Sequence, residues 1–392
     1  FTLPPDPRMD RRHFLASTSL AAASTLLTPA AASPAPPTPA VASPTINFSA
    51  EGLGLTPAEY AAQLQAVAAA GPLVPDNYSL GGAIEALEQQ FATLLGKPAA
   101  MFVPTGTLAN LIAVRTLAGG DRRVLVQAES HLYNDSGDGA QALANLNLVP
   151  LAEGDTGFTL EEVQRWVARS NGGRVDTPVG VISIESPVRR RDHAMVDLAE
   201  IARISAWARA QGIRLHLDGA RLFNLPHHSG QSLPQVTAMF DTVYVSLWKH
   251  FNGASGAILA GGKDFIEGLY HVRRMFGGAL PLAWPQVALV PGYAATYLDD
   301  YAGAWGRMDE VIARLHADGR YRVRKLDNGT SRCFLAPTGG ARDAIAYRAR
   351  EQGVRLPLAA PGATEFILQI NPTLLRRSAD EIAAVLLDAH AA

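Results

Sequence analysis

Apolar and polar positions change period several times along the chain, and each change marks an element. Over 57–70 and again over 82–95, apolar residues recur three and four apart. In the second stretch Ile84, Leu87, Phe91 and Leu95 share one face ahead of Gly96. That spacing predicts two helices, the second stopped by its glycine. Short apolar runs follow at 99–103, 124–128, 148–151, 179–184, 213–217, 242–247 and 257–260, and these read as strands. The run 179–184 is apolar throughout, the pattern of a parallel strand covered on both faces. Helical patterns at 108–117, 159–169 and 196–211 alternate with the strands. The alternation predicts an α/β fold: a mainly parallel sheet with helices on both faces.

From 283 onward the pattern is mostly helical. A helix is expected at 305–319, short strands at 332–336 and 365–370, and a closing helix at 378–390. The chain thus divides into a large domain, 46–290, and a smaller α+β domain, 291–392. The first 45 residues read differently. Arg11 and Arg12 stand ahead of Phe14 and Leu15, a weakly apolar run covers 17–27, and small residues close it at 30–33. This is the layout of an export signal of the twin-arginine type, followed by a Pro- and Ala-rich linker. A periplasmic or secreted location follows as an expectation. The apolar run is too short and weak to span a bilayer, so no membrane association is expected after cleavage.

Composition mainly excludes. A net charge of -2 over 392 residues gives no reason to expect nucleic acid. The single cysteine, Cys333, rules out an internal disulfide and a cysteine-based metal site; in SRCFLAP it reads as core. No metal is expected.

The candidate chemistry centres on DTVYVSLWKHFNGASG, residues 241–256. Lys249 falls between two apolar strands, where burying its charge is costly. A desolvated amine with a lowered pKa condenses with an aldehyde. Asp218 ends another strand and can pair with a protonated ring nitrogen, keeping the ring an electron acceptor. His131 lies just past the end of a third strand and can stack on a ring face. Thr105, Gly106 and Thr107 join a strand to a helix, whose first N–H groups and dipole suit a phosphate. Taken singly, each also fits an ordinary part: a surface lysine, a turn aspartate, a loop histidine, a threonine N-cap. Together they meet the four demands of pyridoxal 5'-phosphate, and ligands of such sheets bind beyond the carboxyl ends of the strands.

Several segments resemble the threonine aldolase and aromatic amino acid β-eliminating lyase family of fold-type I pyridoxal-phosphate enzymes. LHLDGARLFN (215–224) is close to the family's HxDGARxFNA stretch. FVPTGTLAN (102–110) is similar to its PSGTxAN phosphate segment, and VSLWK (245–249) stands where its SxSK lysine segment stands. The resemblance implies the aspartate aminotransferase fold and pyridoxal 5'-phosphate as cofactor. It implies Lys249, His131 and Asp218 as catalytic residues, with Thr105, Gly106, Thr107, Arg221 and Arg273 also on the cofactor. It implies an amino acid substrate met by Arg221 and Tyr78, Arg221 holding its carboxylate, and a homodimer or homotetramer in which Arg273 reaches a phosphate across an interface. The implied activity is that of a carbon–carbon lyase, cleaving a β-hydroxy amino acid to glycine and an aldehyde, or of a β-eliminating enzyme. Racemisation, decarboxylation, or binding without catalysis on the same scaffold are the alternatives. They arise because the substrate side departs from the family: Val188 stands where a histidine is usual, and Glu365 where a carboxylate-binding arginine is usual. His250, next to the lysine, reads as a loop residue or a substitute base.

Overall fold

The structure is a computed structural model and describes residues 44–358 and 362–391. The expected export signal lies outside the described residues. The strands expected from the apolar runs form one seven-stranded sheet: β1 (Ala99–Val103), β2 (Arg123–Gln127), β3 (Asn147–Leu151), β4 (Val179–Glu185), β5 (Arg214–Asp218), β6 (Thr242–Ser246) and β7 (Ala257–Gly261). Their spatial order is β1-β7-β6-β5-β4-β2-β3. The pairings from β6 through β3 are parallel, while β7 runs antiparallel to both β6 and β1. Every residue of β4, β6 and β7 is buried, as continuous apolar runs in a sheet covered on both faces require.

The helix Gly82–Leu95 buries the four apolar residues of its predicted face, and Gly96 ends it with a φ of 61°. That left-handed conformation is one a glycine adopts without strain. The long helix expected at 305–319 in fact spans Val290–Asp318. Gly292, Gly303 and Gly306 weaken the local helical signal by about 1 kcal/mol each. They are outweighed by a buried stripe that includes Val290, Ala294, Tyr297 and Tyr301.

The C-terminal part adds a three-stranded antiparallel sheet of β8 (Tyr321–Arg324), β9 (Arg332–Pro337) and β10 (Phe366–Gln369), with β9 in the centre. Cys333 is buried in β9, as expected. Strand β8 and the helix Arg342–Glu351 went unforeseen because both are charge-rich, with few apolar positions to set a period.

The N-terminal segment is tied to this region rather than to the large sheet. Ile46–Asn47 pairs with Val354–Arg355, and the Asn371 side-chain amide donates to the carbonyls of Asn47 and Ala50. These bonds bring Glu51 toward the carboxyl ends of the central strands.

Candidate active site

Parallel strands share a direction, so their carboxyl ends open on one side. There β4 presents Glu185, β5 presents Asp218, the segment after β2 presents His131, and the short helix Leu247–His250 after β6 presents Lys249. These four residues line one cavity of about 210 Å³, together with Thr105, Gly106, Thr107 and Arg221.

Asp218 is buried and held from two sides. The Asn110 amide donates to Oδ2 at 2.6 Å, and the Ala220 N–H donates to Oδ1 at 3.1 Å. Behind Asn110, its Oδ1 meets His216 Nε2 at 2.9 Å, and His216 Nδ1 meets Thr242 Oγ1 at 2.8 Å. Burial pushes the His216 imidazole down to about 4, so the ring is neutral at pH 7. Asn110 turns its amide toward Asp218, so Oδ1 can only accept. Nε2 therefore carries the proton, and Nδ1 accepts from the Thr242 hydroxyl. This buried chain fixes the carboxylate in position.

Burial, and after it the Arg221 guanidinium, hold the Lys249 amine below the ordinary lysine value, with Glu51, Asp218 and Glu185 pulling the other way. Burial likewise lowers the pKa of His131.

Thr105 caps the helix Gly106–Ala118, its hydroxyl accepting from Leu108 N–H at 3.2 Å. Gly106 has no room for a side chain, since a Cβ there would stand 1.9 Å from the Tyr244 hydroxyl. The bare glycine keeps the first-turn N–H groups open to an anion.

Seven of the nine expected site residues therefore meet at one cavity, and two do not. Arg273 is buried elsewhere, donating to the carbonyls of Phe102 at 2.8 Å and Ser79 at 3.3 Å, with Glu88 nearby. Glu88 accepts the Phe102 N–H at 2.7 Å, so the two side chains together cap the free edge of β1. That task directs the Arg273 guanidinium into its own chain, and it does not line this cavity. Tyr78 is exposed, with the Arg274 guanidinium 4.8 Å from its ring centre, and does not line the cavity. His250 is neither a loop residue nor placed as a base. It is buried, stacked 4.8 Å from Tyr297, and does not line the cavity.

Three residues escaped the sequence reading. Glu185 and Arg189 line the cavity, and Glu51 is ion-paired to Arg221. Glu185 carried a usable signal, a carboxylate at the end of an apolar strand, as in Asp218. Glu51 carried none, because only the packing of the N-terminal segment brings it close.

A family model described as beta-eliminating lyase matches residues 56–330. The chain belongs to the beta-eliminating lyase family. Within it, the chain is 34% identical over 196 residues to a low-specificity L-threonine aldolase of Eremothecium gossypii, covering 50% of each chain. It is 32% identical over 197 residues to the low specificity L-threonine aldolase of Saccharomyces cerevisiae, again 50% of each. The chain thus spans about half the length of the curated relatives it matches. Over a longer stretch it resembles the crystal structure of a putative L-allo-threonine aldolase from Listeria monocytogenes. The TM-score is 0.72 at 26% identity, over 86% of this chain and 94% of that one. Serine palmitoyltransferase of Sphingomonas wittichii shares the fold, with a TM-score of 0.62 at 18% identity over 88% and 86% of the two chains. The fold expected from the resemblance, fold type I of the pyridoxal-phosphate enzymes, is the fold observed.

Proposed function

We propose that this beta-eliminating lyase family member is a pyridoxal 5'-phosphate-dependent lyase acting on an amino acid, in the manner of a threonine aldolase. The observation that carries the reading is that Lys249, Asp218 and the Thr105–Gly106–Thr107 helix start all face one cavity. The residues fit the cofactor. A desolvated amine suits its aldehyde, a helix start with a side-chain-free first residue suits its phosphate, and a buried, doubly anchored carboxylate suits its ring nitrogen.

The bound cofactor supplies an aldehyde for the amine and a ring that stores the electron pair released at the substrate Cα. The chain does the rest. Lys249 offers an amine whose uncharged form is favoured by burial. Asp218, anchored by the Asn110 amide and the Ala220 N–H, is the carboxylate that would hold the ring nitrogen, and it cannot turn away. His131 offers a flat face beside the cavity, and burial favours its neutral form. Arg221 lines the cavity with its charge balanced by Glu51, so the two together form its polar wall.

Purified protein incubated with pyridoxal 5'-phosphate should turn yellow, and Lys249→Ala should abolish the colour with the fold retained. A wild type that stays colourless sinks the reading. Cleavage of a β-hydroxy amino acid to glycine and an aldehyde, or β-elimination, is then read from products over an amino acid panel.

The substrate side favours a second reading, a changed reaction such as racemisation or decarboxylation. Val188 is fully buried, and Glu365 is paired with Arg324 in the C-terminal sheet rather than facing the cavity. The product panel separates the two. Export through the twin-arginine signal and assembly into a dimer or tetramer belong to the same proposal, checked by cell fractionation and by mass in solution.

A further inference from the structure

Glu185 ends β4 and sits in register with Asp218 on β5. Its side chain is buried and lines the cavity. A buried carboxylate beside a second one is an expensive arrangement, and burial together with the Asp218 charge lifts Glu185 to about 7. Its contacts show what such a group does there. Oε2 accepts the His131 N–H at 2.6 Å, and Oε1 accepts the Arg189 N–H at 2.8 Å. One carboxylate therefore joins two chain segments that leave neighbouring strands: the one after β2, carrying His131, and the one after β4, carrying Arg189.

The base of the clamp is fixed as well. The Glu185 N–H donates to Gln127 Oε1 at 2.7 Å, and Gln127 Nε2 donates back to the Glu185 carbonyl at 2.9 Å. Gln127 is fully buried at the end of β2, four residues before His131. The His131 segment is thus referenced to the sheet through Gln127 and Glu185. The segment has further ties: Ser130 Oγ donates to the Gln127 carbonyl at 2.7 Å, Ser136 Oγ donates to the His131 carbonyl at 3.1 Å, and the half-exposed Arg189 and Arg190 side chains pair with Asp135 at 3.0 and 2.9 Å. Of all these groups, only Glu185 reaches the His131 N–H itself.

We infer that Glu185 is a positioning residue, whose two carboxylate oxygens clamp the His131 and Arg189 backbones and so set the His131 ring against the cavity. An amide of the same shape cannot replace it, because one of its two ends is a donor and would face an N–H. The consequence for the cofactor rests on the function proposed above; the clamp itself does not.

The test uses the full chain, as wild type and as Glu185→Gln. Hydrogen exchange is followed without added cofactor in peptides covering 129–136 and 186–192. At least tenfold faster exchange is expected in both, with the rest of the chain unchanged. Unaltered exchange in both peptides overturns the clamp. Pyridoxal 5'-phosphate is then titrated by absorbance, and about tenfold weaker binding is expected in the variant. Equal affinity alongside faster exchange overturns the link from clamp to His131 and cofactor. A wild type that takes up no cofactor removes the proposed function, while the exchange result still decides the clamp. If Glu185→Gln does not fold, Glu185→Asp carries the same measurements. Its carboxylate is one methylene short of spanning both N–H groups, so faster exchange is expected in at least one peptide.

Discussion

Arg221 and Glu51 form a buried ion pair between residues 170 positions apart, with the guanidinium 4% and the carboxylate 18% exposed. The arginine was expected to be free for a substrate carboxylate. Instead its charge is already balanced by a group from the N-terminal segment, and the segment becomes part of the site.

Removing Glu51 should act on both stability and Lys249. Glu51→Gln leaves a buried guanidinium without its counter-charge, a loss of about 3 kcal/mol in a pair of this kind. For Lys249, Arg221 lowers the pKa and Glu51 raises it. With Glu51 neutral, the pKa should fall further. Denaturant unfolding reads the first effect. The second appears as a shift to lower pH in the midpoint of cofactor uptake, and a shift to higher pH would contradict the electrostatics.

Gly106 should not tolerate alanine. The new methyl would stand 1.9 Å from the Tyr244 hydroxyl and 2.3 Å from its ring carbon. Either Tyr244 or the helix start must move, at about 1–3 kcal/mol for overpacking of this sort. Weaker phosphate-dependent cofactor binding is expected from Gly106→Ala. Comparing pyridoxal 5'-phosphate with pyridoxal isolates the phosphate contribution.

Asp218→Asn should separate binding from catalysis. The amide would still fill the space, but it would no longer carry a charge opposite the ring nitrogen. The Asn110 amide would also meet an amide in place of a carboxylate. Loss of roughly 10²–10³ in kcat is the scale for removing one preorganised electrostatic group. The variant should still take up cofactor. A variant with full activity would remove Asp218 from the chemistry.

Glu185 makes a prediction for stability against pH. Its pKa in the folded protein, about 7, lies above the ordinary 4.5. A raised carboxyl favours the folded state while protonated. The stability it contributes is complete below about 4.5 and is lost as pH rises through about 7. The span corresponds to roughly 3 kcal/mol at most. In Glu185→Gln this component should vanish, so the two stability–pH curves should differ in slope between pH 4.5 and 7. Parallel curves would place the Glu185 pKa at an ordinary value.

The central sheet was legible along the chain because a strand buried on both faces must be apolar throughout, so a break in the apolar run marks the next turn. The runs 179–184 and 242–247 needed no tertiary information to be recognised as strands. The same logic found Lys249 and Asp218, as charged residues at the ends of apolar runs where burial makes a charge conspicuous. Helix Val290–Asp318 was harder to bound. Its glycines obscured the start, and only the packing of Tyr297 and Tyr301 shows the helix continuing through them.

The sequence by itself determined the alternation of strands and helices, and hence a parallel sheet with chemistry at one end. It also supplied the types of group held there, because local period and local polarity are properties of neighbours in the chain. Which groups face each other was decided by tertiary structure alone. Arg273 turned inward to the edge of β1, Glu51 came to Arg221 across 170 residues, and Glu185 reached the His131 backbone from a different strand. Contacts of that kind depend on strand order and side-chain direction. Neither leaves a mark on the residues beside them in sequence.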